Sequence, residues 1–125
     1  MYKKKLEEDI RCPLEYGLKI FGGRWKSRVI CVLNRFGVLR YKDIRENMYN
    51  VSDTVLAATL KELACDGLVE RKSYDEVPPR TEYLLTEKGK SVVPILGYIC
   101  EWSGQYFKSE NNEGLPHCRN CDHRN

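Results

Sequence analysis

Six cysteines and two histidines are the residues of this sequence best suited to chemistry, the thiols standing at positions 12, 31, 65, 100, 118 and 121. Four soft-metal ligands crowd together as His117-Cys118-x-x-Cys121-x-His123. Thiolate and imidazole are proper zinc ligands, and Cys-x-x-Cys is a common spacing in zinc sites. All four, however, lie in one short polar stretch with no apolar anchor, whereas a complete tetrahedral site usually draws on two separated pairs. Zinc binding at Cys118 and Cys121, a redox pair, and a plain disordered tail over 108–125 stand as alternatives, and no metal is assigned. A thiol oxidoreductase would open a helix with such a pair in a βαβ setting. Neither that pattern nor a following helix is present. No Ser/His/Asp set and no phosphate-binding glycine loop appear either, so the reading is a protein that is not an enzyme and needs no cofactor.

Cys12 has a more pointed setting. Pro13 suits the first position of a helix, where its missing N–H costs nothing, and this makes Cys12 the N-cap. Free N–H groups and the helix dipole favour an anionic thiolate there, with Arg11 and Lys19 nearby. Such a thiolate reacts with electrophiles or oxidants and can form a mixed disulfide or a disulfide to a partner subunit. The alternative is a capping cysteine that only packs. Cys31 falls in an apolar helical stretch and is expected to be buried and inert. Cys65 faces outward beside Lys61, either a bystander or a second oxidisable site. Cys100 is expected to fill a helix interface.

The elements that must position these residues can be read from periodicity. The chain has 125 residues, 42% hydrophobic and 31% charged, which fits one soluble globular domain. No apolar run approaches a membrane span. The opening Met-Tyr-Lys-Lys-Lys-Leu-Glu-Glu-Asp lacks the apolar stretch of an export signal, so reduced thiols and a cytoplasmic setting are expected. Residues 1–11 read as a flexible arm. Leu14, Leu18 and Phe21 share one face of a first helix that Gly22-Gly23 ends. Arg24 to Phe36 is a second helix striped by Trp25, Val29, Val32, Leu33 and Phe36. Val38-Leu39-Arg40 is a short strand, and Tyr41 to Met48 a third helix with Ile44 and Met48 inward. Ser52 caps a fourth helix to Asp66, and Gly67 closes it. Leu56, Leu60, Leu63 and Ala64 face inward. Two strands, 68–74 and 81–86, flank a protruding Asp75-Glu-Val-Pro-Pro-Arg80 tip. Thr86 caps a last helix to about Phe107, which Pro94 should kink or restart.

Two helices joined by a tight turn and followed by a two-stranded hairpin make a winged helix-turn-helix, a mainly α fold with a small β-hairpin. A helix of this length fits a major groove, and the hairpin reaches neighbouring phosphates or the minor groove. Thr54, Val55 and Ala58, outward on the fourth helix, suit thymine methyl groups, and Lys61 suits guanine or phosphate. Thr59 lies on a flank. Ser52 is both cap and phosphate donor. The reading helix is itself acidic, with Lys61 against Asp53, Glu62 and Asp66. Charge must therefore come from around it. Residues 1–50 hold 12 Lys/Arg against 6 Asp/Glu, and residues 51–125 hold 9 against 12. Lys26, Arg28, Arg40, Lys42 and Arg45 are candidates on the scaffold, as are Lys72 and Arg80 on the wing. Arg40 and Arg80 are preferred, although Arg80 could instead hold the hairpin through Glu82. The expected partner is double-stranded DNA, and no membrane is involved. A winged helix that binds only another protein is the alternative.

The last helix carries two apolar stripes. Val92, Leu96, Ile99, Trp102 and Tyr106 form one; Val93, Gly97, Cys100, Gly104 and Phe107 form the other. One stripe closes a small core, and the second implies a partner surface. A dimer seam is expected here, with Leu96, Gly97, Ile99, Cys100, Gly104 and Phe107 in it, together with the first helix.

These segments resemble one family along most of their length. Cys12-Pro-Leu-Glu15 and Gly22-Gly-Arg-Trp-Lys26 resemble the opening of the HxlR-type, MarR-like winged-helix regulators. Arg40-Tyr-Lys-Asp-Ile44, Leu60-Lys-Glu-Leu63, Asp66-Gly-Leu-Val69 and Arg71 continue the likeness. Val77-Pro-Pro-Arg-Thr-Glu-Tyr-x-Leu-Thr86, Gly89 and Trp102 complete it, so that it covers about residues 12–107. The resemblance implies a cytoplasmic homodimer that regulates transcription, as a repressor, from a palindromic operator. It also implies a possible effector, since HxlR-type regulators include sensors of quinones, aldehydes and hypochlorite that use a cysteine at the position of Cys12. The tail beyond 107 lies outside the resemblance.

Overall fold

The computed structural model describes residues 10–107 of the chain. Its elements run α1 (Pro13–Phe21), α2 (Arg24–Phe36), β1 (Leu39–Arg40), α3 (Tyr41–Glu46), α4 (Asp53–Cys65), β2 (Val69–Tyr74), β3 (Arg80–Leu85) and α5 (Glu87–Gly104). This is a winged helix, mostly helical with one small antiparallel sheet. The short strand does not stand apart from the hairpin, as the sequence suggested. It adds to the hairpin's β3, giving the order β1-β3-β2 with Leu39 opposite Tyr83 and Arg40 opposite Glu82.

The core gathers Val29, Ile30 and Leu33 of α2, Ile44 and Met48, Leu56, Leu60 and Leu63 of α4, Leu68, Val69, Leu85, and Val92 and Leu96 of α5. In α1 the apolar residues divide. Leu14 and Leu18 are 69% and 55% exposed, and Ile20 enters the core. In α4, Ala64 is exposed instead of inward, while Thr59 is buried and its hydroxyl donates to the Val55 carbonyl at 2.7 Å. In α5, Leu96 was expected on a dimer seam but is only 7% exposed, because it packs into its own chain's core. The helix runs on through Pro94 without a restart. Beyond Leu96 it leaves the core, so Ile99, Trp102, Tyr106 and Phe107 are exposed. No helix among the described residues is long and apolar enough to cross a membrane.

The ends of α4 are defined by its own chemistry. Ser52 Oγ accepts from the Val55 N–H at 3.2 Å. At the other end the Leu68 N–H donates to the Leu63 carbonyl (2.9 Å) and the Gly67 N–H to the Ala64 carbonyl (3.1 Å). These are the paired bonds of a Schellman stop, and Gly67 takes the left-handed φ of 80° that it requires. The stop is then docked onto α5. Thr86 N–H donates to the Leu68 carbonyl (3.0 Å), and Thr86 Oγ1 donates to the Gly67 carbonyl (2.5 Å). The same Oγ1 accepts from Gly89 N–H at 3.0 Å.

Gly89 is required by this docking, since a Cβ there would collide with the Leu68 carbonyl oxygen. Gly89→Ala is expected to lower stability by about 1–3 kcal/mol, the usual cost of overpacking. Urea unfolding checks it, and an unchanged midpoint would show that the junction can open freely.

Candidate nucleic-acid interface

The buried edge of α4, formed by Leu56, Thr59, Leu60 and Leu63, fixes which residues the helix presents outward. Thr54, Ala58, Lys61 and Cys65 are exposed along one line at helical spacing, with Ala57 and Ala64 exposed beside it. Ser52, at the cap, is exposed too. Val55 is only half exposed and packs against the core, so less of it is available than expected. Ala57 was missed by the sequence reading. Its place beside Thr54, three residues on, is the signal that finds it. The result is a narrow strip of small side chains, which lets a helix approach a groove floor closely.

The turn before α4 is tight. Tyr49 and Asn50 both take left-handed backbone, at φ 56° and 61°. Asparagine tolerates this conformation, and tyrosine rarely adopts it. Three side-chain contacts then tie α3 to the start of α4. The Tyr41 hydroxyl donates to Asp53 Oδ1 (3.1 Å) and to the Asp53 carbonyl (3.3 Å). Arg45 Nε lies 2.8 Å from Asp53 Oδ1. Burial, and then the Asp53 carboxylate, raise the Tyr41 phenol above its usual range near 10, so it keeps its proton and remains the donor.

Several cations expected at the phosphates are already committed. Arg45 is paired with Asp53. Lys26 pairs with Glu62 at 3.1 Å and donates to the Lys19 carbonyl at 3.0 Å. Arg28 donates to the Met48 carbonyl at 3.2 Å. Arg80 makes the hairpin contact that the sequence offered as the alternative. Its guanidinium bridges Glu76 (2.9 Å) and Glu82 (3.2 Å) and covers the Tyr74 ring at 4.0 Å. These contacts tie the two strands of the wing together. The Arg80 Nε is buried without a hydrogen-bond partner among the described residues.

Arg40, Lys42, Lys61, Arg71 and Lys72 remain exposed and uncommitted among the described residues. Strand register places Arg40, Glu82 and Lys72 side by side across β1, β3 and β2, on the sheet face opposite buried Val69 and Leu85. Two cations thus stand on one face of the sheet while α4 itself stays acidic.

Cys12 is exposed and caps α1 by its backbone alone, its carbonyl accepting from Glu15 N–H (3.0 Å) and Tyr16 N–H (3.3 Å). Arg11 is occupied by Glu15, which it meets through its backbone N–H at 2.8 Å and its side chain at 3.6 Å. Cys31 is half buried against the core, and Cys65 and Cys100 are exposed. Of the expected seam, Ile99, Cys100, Gly104 and Phe107 are exposed and Gly97 half buried. Trp102 and Tyr106 stack at 5.3 Å between ring centroids. The paired Cys118 and Cys121 lie outside the described residues, and no cluster of metal-binding side chains occurs among the described ones.

Comparison with known proteins agrees with this architecture. Residues 20–111 match the HxlR-like helix-turn-helix family. An HTH-type transcriptional regulator from Methanothermobacter thermautotrophicus is 44% identical over 108 residues, covering 86% of this chain and 82% of the relative. The redox regulator HypR in its oxidised form superposes with a TM-score of 0.71 at 34% identity, covering 78% of this chain and 100% of that one. The reduced form of the transcriptional regulator YodB from Bacillus subtilis gives 0.69 at 35% identity, over 78% and 95%.

The Asp53 pairing has a measurable consequence. Asp53→Asn removes a negative charge from the start of α4 and weakens the hold on Arg45. The slope of log affinity against log salt for duplex DNA is expected to steepen by about 1, the contribution of one additional phosphate contact. A salt titration by filter binding checks this. A slope equal to that of the wild type would mean that Arg45 cannot reach the backbone.

Proposed function

The chain belongs to the HxlR-like helix-turn-helix family of transcriptional regulators, and from that premise we propose a sequence-specific repressor that binds double-stranded DNA. In this reading it acts in the cytoplasm, as a homodimer on a palindromic operator. The observation that carries the proposal is the exposed strip Thr54, Ala58 and Lys61 on α4, in a protein that leaves Arg40 and Lys72 exposed and uncommitted on the sheet while Lys26, Arg45 and Arg80 are held in ion pairs. Small side chains read base edges at close range, and the sheet cations position the duplex without reading it.

Support for the dimer comes from apolar surface that a monomer would leave wet. Leu14 and Leu18 of α1 and Ile95, Ile99, Trp102 and Phe107 at the α5 end are all exposed. Exposed apolar surface on two helices is what an interface would cover, and two-fold pairing there would present two copies of α4 to one operator.

Cys12 is the proposed switch. Its thiol is exposed and uncommitted at the end of a helix that belongs to this apolar surface. Oxidation, or alkylation by an electrophile, would place a bulky or cross-linked group at the seam and alter the spacing of the reading helices. Its structural neighbours include the redox regulator HypR in an oxidised form and the regulator YodB in a reduced form, which supports this reading.

The test uses a duplex that the protein itself selects from a random pool. Lys61→Ala is expected to weaken binding by about tenfold, near the lower end of the cost of losing one good base contact, and Arg40→Ala to weaken it and to flatten the slope of log affinity against log salt by about 1, the loss of one phosphate contact. Cys12→Ser is expected to hold that duplex in the presence of diamide while the wild type releases it. Undiminished affinity in both charge variants would overturn the contact assignment, and diamide release by Cys12→Ser would remove Cys12 as the sensor. A protein that selects no duplex would instead be a protein-binding winged helix.

A further inference from the structure

Lys88 is the second residue of α5, where the positive end of the helix dipole disfavours a cation. Its ammonium is not spent on α5. It donates to the Asp66 carbonyl oxygen at 2.9 Å and to the Tyr16 hydroxyl at 3.0 Å, and it stands 5.6 Å from the centroid of the Tyr16 ring. Asp66 is the C-cap of α4, and its carbonyl is one of those that a helix end leaves without an intrahelical donor. One side chain therefore satisfies the end of the reading helix and holds α1 at the same time.

The junction around it is rigid. Thr86 and Gly89 bind the Gly67-Leu68 stop to the start of α5, and Gly89 leaves no room for a Cβ. The stem of Lys88 passes 3.9 Å from where a Cβ on Gly67 would stand. On the other side, Tyr16 is one helical turn from Cys12, and its N–H donates to the Cys12 carbonyl. Among the described residues, Lys88 with Tyr16 forms a short polar link from the exposed end of α1 to the end of α4.

We propose that Lys88 is a positioning residue that makes the setting of the reading helix depend on α1. A displacement of α1, by pairing with a second copy or by modification of its N-cap Cys12, moves Tyr16. Lys88 carries that movement to the Asp66 end of α4, while the core holds the buried edge. The inference rests on reading α4 as the DNA-reading helix.

The test compares full-length wild type with Tyr16→Phe, Lys88→Met, their double variant and Lys88→Arg. Two quantities are read: the affinity ratio for the self-selected duplex over a scrambled duplex, and amide hydrogen exchange at Gly67 and Leu68. Tyr16→Phe and Lys88→Met are each expected to lower the ratio about fivefold, the lower end of ordinary coupling between sites, and to speed exchange at both amides. The double variant should lose about as much as either single one, because both break the same link. Lys88→Arg keeps a cationic donor and should restore the ratio to within about twofold. Tyr16→Phe removes one oxygen from the surface, so it carries the test even if Lys88→Met folds poorly. Wild-type ratio and exchange in Tyr16→Phe would overturn the proposal, as would a double variant that loses the product of the two single losses. A wild type that prefers no duplex would overturn the DNA reading instead, and amide exchange would still report on the link.

Discussion

Leu56, Leu60 and Leu63 bury one edge of α4 against α2 and the rest of the core, and a helix held along one edge cannot turn about its own axis. The assignment of α4's outer strip as the contact surface follows from that restraint. The opposite edge must face solvent, and there the chain carries threonine, alanine and lysine in place of bulky groups. Each buried leucine contributes about 1.5–3 kcal/mol of burial. Rotating α4 enough to hide its outer strip would expose all three, a loss comparable to the whole stability of a small domain. The Ser52 cap and the Gly67 stop then fix where the strip begins and ends.

Electrostatics act on this frame by subtraction. The chain's positive charge does not spread evenly over a binding face, because ion pairs withdraw part of it. Lys26, Arg45 and Arg80 neutralise carboxylates that would otherwise repel phosphate. These are largely surface pairs, each worth little in stability. Their larger effect is to decide which cations are left, among them Arg40, Lys42, Lys61, Arg71 and Lys72. An acidic reading helix is thus compatible with a duplex partner, provided that the sheet supplies the backbone contacts.

Much of this was legible in the sequence where local chemistry decides the outcome. Pro13, Ser52, Gly67 and Thr86 mark helix ends by rules that involve only their neighbours, and all four stand where those rules put them. The inner leucines of α4 follow from spacing alone. The misses share a different cause. Periodicity shows that α1 and α5 have apolar faces, but not whether a face meets its own core or another surface. Hence Leu14 and Leu18 are exposed and Leu96 is buried. The commitments of Arg45, Lys26 and Arg28 depend on partners 7 to 36 residues away in the chain, which no local pattern shows. Arg80 is the instructive case. Glu82 was visible two residues away, but the Tyr74 ring and Glu76 close the cage only when the hairpin folds. β1 joins the sheet for a similar reason, since a two-residue strand is specified by its partner and not by itself.

The central claim is that two copies of one exposed strip, fixed by the core and paired through α1 and α5, read one duplex. Hydroxyl-radical footprinting of the wild-type protein on its selected duplex tests this most directly. The account predicts two protected half-sites related by a two-fold axis, with centres about 34 Å or a multiple of it apart, and protection lost together from both halves on treatment with a thiol oxidant. A single unpaired patch of protection, or two halves released independently, would contradict it.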